Sequence, residues 1–261
     1  MRKSVMLTLL IAINLAAISC YAIDPDTVVG IWMFDENKDK IILDSSGNNH
    51  NGEIKENVKC AKGKFDSAIE LLGQSNSYAV IPHDDALSLK TFSITAWVNL
   101  VDRGAYQALV EKGEVQGDVR NYYLAVTPEG QLYGGFKGDN SWNSVLADVV
   151  ADENWHHAAV TYDMKQILVY LDGKSFTTVS IGVAGGIDPL QNEASVTIGV
   201  TNVNGGEPAQ GTIDEVAIFN SALSEADIKS IMQNGLAQSV LVVEPGKKLA
   251  ATWGSIKRNI L

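Results

Sequence analysis

Along this chain apolar and polar residues alternate in short runs, and Gly, Asn and Asp break the runs at frequent intervals. A period of two belongs to a half-buried strand, whose successive side chains point to opposite faces, whereas an amphipathic helix repeats every 3.6 residues or about that. The pattern predicts strands over 28–34, 68–72, 78–81, 92–100, 108–111, 122–127, 131–137, 144–149, 156–162, 166–171, 174–179, 195–200 and 212–219. In 92–100, Phe92, Ile94, Ala96, Val98 and Leu100 share one face, and Ser93, Thr95, Trp97 and Asn99 the other. Asp172-Gly173 tolerates the positive φ angles of a type I′ turn and joins its two flanking strands as a hairpin. Past the N-terminal region one helix is predicted: Ser224 caps it, Ile228 and Ile231 line one side, and Gly235 stops it. Strands joined by turns, with no helices between them, exclude βαβ units and point to an antiparallel sandwich or barrel, its end sealed by the helix.

The two ends read differently. Residues 1–22 open with Arg2 and Lys3, run apolar from Val5 to Ala17 and finish on small or turn-forming residues. That is the pattern of a bacterial export signal, too short to span a bilayer. Two processing routes stay open: cleavage after Ala22, the ordinary outcome and the one favoured, or lipid attachment at Cys20 within Ala17-Ile18-Ser19-Cys20. Either route makes the protein secreted or cell-surface. From 238 onward a short apolar run, a Glu244-Pro245-Gly246 turn and the bases Lys247, Lys248, Lys257 and Arg258 suggest a tail, 238–261, outside one domain of 23–237.

Composition narrows the choice of partners. The formal charge is −11, and it becomes more negative once Arg2 and Lys3 are removed, so nucleic acid and anionic membrane surfaces are excluded as natural partners. With the signal gone, nothing is expected to insert into a membrane. Cys20 and Cys60 are the only cysteines, and either route takes Cys20 out of disulfide chemistry. The domain must therefore rest on its apolar core, with any bound metal as the remaining staple.

Five ordered stretches carry a family likeness. Gly30-Ile31-Trp32-Met33-Phe34-Asp35-Glu36, with the turn from Asp44 to Gly52, is followed by Phe92-Ser93-Ile94-Thr95-Ala96-Trp97-Val98. Later come Trp155-His156-His157-Ala158-Ala159-Val160, then Val169-Tyr170-Leu171-Asp172-Gly173, then Gly211-Thr212-Ile213-Asp214-Glu215-Val216 with Ala222-Leu223-Ser224. In this order they resemble laminin-G-like, concanavalin A-like jelly rolls. The resemblance implies an all-β fold: a two-sheet antiparallel jelly-roll sandwich with one short C-terminal helix, its ligands taken by a concave face or by rim loops. Fold alone does not fix function, and such domains serve lectin-like, adhesive and accessory roles.

The chemistry favours binding over catalysis. His156 and His157 are adjacent in a strand and point to opposite faces, so they cannot chelate one ion together, and a structural role is expected. His50 and His83 stand alone in turn-like segments. Retaining glucanases of the resembled fold carry Glu-x-Asp-x-x-Glu on one strand, which sets two carboxylates about 5 Å apart; no such stretch occurs here. Asp214 and Glu215 are adjacent and are expected on opposite sides of their strand. Neither a Gly-x-Ser-x-Gly elbow nor a His-Glu-x-x-His helix is present, so no catalytic residue is assigned.

Calcium is the expected cofactor, in a structural role. The turn from Asp44 to Gly52 offers oxygen ligands of the kind a hard cation takes, and the resemblance implies a site pairing Asp35 or Asp44 with Asp214. Equally, Asp, Asn and Gly are what any turn contains. For an extracellular glycan, aromatic faces stack on sugar C–H surfaces beside a few polar groups, which selects Tyr106, Arg120, Tyr122, Asn140 and Trp142. Trp142 lies in a polar stretch predicted as a loop, where it either meets ligand or caps the sandwich edge. The alternative to a glycan is a surface protein met by an adhesive face.

Overall fold

The computed structural model describes residues 23–36, 40–114, 119–138, 141–177, 186–202 and 205–241. The proposed export signal, Asn140 and the basic stretch beyond 241 lie outside these residues. Within them run β1 (Val28–Trp32), β2 (Ile41–Ile42), β3 (Gly52–Ile54), β4 (Val58–Lys62), β5 (Ser67–Leu72), β6 (Ala79–Ile81), β7 (Phe92–Leu100) and β8 (Gln107–Glu114). There follow β9 (Val119–Val126), β10 (Gln131–Gly138), β11 (Ser141–Val149), β12 (Trp155–Tyr162), β13 (Ile167–Leu171), β14 (Lys174–Thr177), β15 (Val196–Ile198), β16 (Gln210–Phe219) and the helix α1 (Glu225–Ser239).

The strands form two antiparallel sheets. The first is ordered β14-β13-β12-β7-β16-β5-β4 with β1 also on β16, and the second β11-β10-β9-β8-β15-β6-β3-β2. Sequence neighbours such as β7 and β8 lie in different sheets, the crossing expected of a jelly roll. The inner faces meet in one continuous core. Phe92, Ile94, Ala96, Val98 and Leu100 of β7 enter it together, as the alternation predicts, and face Leu124, Val126, Leu132, Phe136 and Val145 of the second sheet. At its centre Phe92 packs on Tyr122 and Tyr162 with ring centroids 5.7 and 5.8 Å apart, and Phe136 packs on Tyr162 at 4.4 Å. Fully burying an aromatic or large aliphatic side chain contributes about 1.5–3 kcal/mol, so this continuous layer supplies the main driving force for the sandwich.

A second cluster covers the outer face of the first sheet. Ile31, Ala159, Tyr170, Ala217 and Phe219 of that sheet are covered by Ile23 and by Ile228, Ile231 and Leu236 of α1. The helix starts where the sequence predicts. Ser224 Oγ accepts the Asp227 amide, and the Asp227 carboxylate accepts the Ser224 amide in return, a full capping box. Gly235, at φ 76° and ψ 168°, is non-helical and ends the first helical stretch as expected; a second short stretch runs on to Ser239, and Val240 is buried. Apolar contacts hold the described chain to the domain as far as Val240.

Three short strands, β2, β3 and β4, escape sequence detection. β4 reads Val-Lys-Cys-Ala-Lys on a sheet edge with little buried, so it has no hydrophobic alternation to show. Elsewhere Asp172 and Gly173 take φ 50° and 75°, the values a type I′ hairpin turn requires.

Candidate functional site

Among the described residues no helix covers the outer face of the second sheet, and a cleft of about 390 Å³ opens there. Its strands are β8 to β11. Because Tyr122, Leu124 and Val126 of β9 point into the core, Tyr123 between them points out. On β10 the same alternation turns Tyr133 outward, and on β11 it exposes Trp142 and Ser144. Tyr106 enters from the turn before β8, and Glu207 from the turn before β16.

Aromatic rings line the cleft in sequence. Tyr106 meets Tyr133 with centroids 6.0 Å apart, Tyr133 meets Tyr123 at 5.3 Å, and Tyr123 meets Trp142 at 5.5 Å. The two end rings are the most open to solvent, Tyr106 at 46% and Trp142 at 49%, while Tyr133 is half-buried and Tyr123 buried. Trp142 lies between two cations, with Arg120 Cζ 5.4 Å and Lys137 Nζ 5.3 Å from its ring centre. Arg120 in turn holds Glu111, Nε to Oε2 at 3.0 Å, and both side chains are largely withdrawn from water. The Thr201 hydroxyl lies 2.8 Å from Glu207 Oε2 and 3.4 Å from Glu111 Oε2. Burial first, then the charge of Glu207, raises the Tyr133 phenol, which stays protonated and able to donate.

Of the residues selected by chemistry alone, Tyr106, Arg120 and Trp142 meet in this cleft, and Asn140 lies outside the described residues. Tyr122 is corrected. It is fully buried in the core, its hydroxyl donates to the Leu87 carbonyl at 3.1 Å, and its neighbour Tyr123 takes the place in the cleft. Trp142 belongs to β11 opposite Lys137, where a loop was predicted. Glu111, Tyr123, Tyr133, Ser144 and Glu207 were not foreseen. A glutamate inside the apolar run of β8 was a visible sign, but Glu207 had none, because it lies in a Gly-rich turn far along the chain.

Asp35 and Asp44 line one pocket beside Glu36 and Ser45, and Asp214 lies elsewhere, against Phe65 and Gly63. Among the described residues no three His, Cys, Asp or Glu side chains converge as metal ligands. Asp44 spends Oδ1 on the Ile31 and Ser46 amides and Oδ2 on the His50 amide, bracing its turn against β1. Asp35 Oδ1 accepts the Ser67 amide. Asp214 is buried, accepts the Phe65 and Glu215 amides, and is pushed up to about 7 by burial. Glu215 departs from the expected opposite orientation. A bulge after Asp214, with Glu215 at φ 50°, breaks the alternation, so both carboxylates lie on the covered side, near Phe65 and the end of α1. There Glu215 accepts the Leu236 amide at the helix kink.

The paired histidines do separate. His156 bridges Asp172 at 2.6 Å and Asp152 at 3.0 Å; burial pulls its pKa down, but these two carboxylates outweigh it and leave it raised. His157 is fully buried on the other side. His83, expected to stand alone, has the buried Lys112 ammonium 3.0 Å from its Nδ1.

Comparison with known proteins supports the fold. The family model described as the Concanavalin A-like lectin/glucanases superfamily matches residues 73–229. Paraclostridial mosquitocidal protein 1 of Paraclostridium bifermentans is 22% identical over 218 residues, 77% of this chain but 17% of that protein. The crystal structure of its binding domain superposes with a TM-score of 0.64 at 20% identity, over 80% of this chain and 52% of that one. Domain 4 of AbnA, an extracellular arabinanase of Geobacillus stearothermophilus solved with arabinotriose, gives 0.60 at 21% identity, covering 79% of this chain and 98% of that one. The botulinum neurotoxin D ligand-binding domain, solved with N-acetylneuraminic acid, gives 0.63 at 15% identity, over 81% and 52%. This chain therefore spans only part of several of the proteins it matches.

Proposed function

The chain belongs to the Concanavalin A-like lectin/glucanases superfamily, and from that premise we propose that it is a non-catalytic, extracellular carbohydrate-recognition module working through the cleft on its second sheet. The observation that carries this is the pair of exposed rings, Tyr106 and Trp142, set around a floor of paired charges and hydroxyls. Exposed aromatic faces take up sugar C–H surfaces, while Glu207, Arg120 and Ser144 offer acceptors and donors to hydroxyls. Binding of arabinotriose and N-acetylneuraminic acid by structural neighbours supports a sugar ligand, as does their occurrence in toxins and an extracellular enzyme.

A binding role, not turnover, is supported by the engagement of Glu111 with Arg120, which commits that carboxylate to a fixed ion pair. A glycan array followed by calorimetry tests the reading. Binding is expected, with Trp142→Ala weakening it at least tenfold, about 1.4 kcal/mol. An array blank for neutral and acidic glycans alike overturns the carbohydrate assignment, and release of reducing ends from a bound polysaccharide overturns the non-catalytic one.

A further inference from the structure

We infer that the cleft takes an extended segment of at least two sugar rings, and not a single ring; this rests on the carbohydrate reading above. Strand register lays the site out in rows. Gly135 of β10 stands opposite Tyr123 on one side and Ser144 on the other, and Tyr123 stands opposite Glu111. Two residues further along β10, Lys137 stands opposite Trp142; two residues back is Tyr133, which Tyr106 overlies. Four residues at a strand rise of ~3.3 Å set the Tyr133 row and the Trp142 row about 13 Å apart.

The two rows carry the only solvent-open rings of the cleft, and the row between them is low. Gly135 has no side chain, and a Cβ there would run into the Asn143 carbonyl of β11, so the geometry holds this position to glycine. Tyr123, its ring buried, and Ser144 flank it, with Glu111 next beyond Tyr123. One sugar ring stacked on Trp142 leaves Tyr106 in water, and one stacked on Tyr106 leaves Trp142 in water. A ligand that uses both must cross the Gly135 row, with its hydroxyls against Ser144 on the way.

Calorimetry with ladders of linear arabino-, xylo- and cello-oligosaccharides, one to five units long, tests this on the full chain. For whichever series binds, the trisaccharide is expected to bind at least tenfold tighter than the monosaccharide, with little further gain at five units. Tyr106→Ala and Trp142→Ala should each weaken the trisaccharide tenfold or more, while monosaccharide affinity falls with at most one of them. Circular dichroism and thermal melting establish that both variants fold. Equal affinity for mono- and trisaccharide, or a trisaccharide insensitive to either ring, overturns the extended-ligand inference while leaving a carbohydrate site intact. Failure of every series, with a blank array, overturns both.

Discussion

His157 sets up an acid sensitivity that can be worked out in advance. It is wholly buried on β12, edge-on to Trp97 with centroids 5.4 Å apart, and neither ring nitrogen has a hydrogen-bond partner. Burial, only partly opposed by the charge of Asp172, holds its pKa at about 4. In the unfolded chain the value returns to about 6.5. Between these two values the unfolded chain takes up a proton that the native protein refuses. Stability is therefore whole above about pH 6.5 and is lost as the pH falls towards 4, to a total of about 3 kcal/mol, with about 2 kcal/mol gone by pH 5. His157→Phe keeps an edge-on ring beside Trp97, abolishes the titration and removes two unpaired nitrogens, which should add on the order of 1 kcal/mol at neutral pH. Asp214 works in the opposite sense. Its raised pKa of about 7 gives stability that is full at acid pH and is lost as the pH rises from 3.8 through 7. Both proteins carry Asp214 and His156, so their effects cancel in the comparison. Urea unfolding at pH 7.5 and pH 5.0, followed by tryptophan fluorescence, should show the wild type losing about 2 kcal/mol more than His157→Phe on acidification. Equal losses would refute the assignment of this proton uptake to His157.

Two further outcomes follow from individual contacts. Asp44→Ala deletes the acceptor of three backbone amides and should cost about 2–4 kcal/mol, to the same extent in calcium and in chelator; a calcium-dependent gain in stability seen in the wild type and lost in the variant would show that Asp44 holds a metal. Ser224→Ala removes one half of the capping box and should cost about 1 kcal/mol in chemical denaturation, while an unchanged midpoint would show that packing of Ile228 and Ile231 alone fixes the helix start.

Sequence reading succeeded where one face of an element is buried and failed where tertiary contacts decide. The alternation in β7 named its core face residue by residue, because water on one side and core on the other enforce a period of two. Tyr122 shows how narrow that margin is. Two adjacent tyrosines differ only in register, and the inward run of Leu124 and Val126 decides that Tyr122 fills the core and Tyr123 the cleft. The bulge at Glu215 defeats any strict two-residue rule, since one left-handed residue turns the next side chain to the same face. Tyr106, Arg120 and Trp142 could be picked out by residue chemistry, whereas Glu207 reaches the cleft only through the long-range closure of the sandwich.

The covering of the first sheet also orients the domain. Ile23 and Val240, near the two limits of the described chain, both pack with α1 against that sheet, on the side away from Trp142. Both positions thus lie at the back of the domain. A tether to a cell surface or to a neighbouring module would then leave the aromatic cleft facing the medium, as a palm faces away from the wrist, so that capture of a partner does not compete for space with the linkage itself.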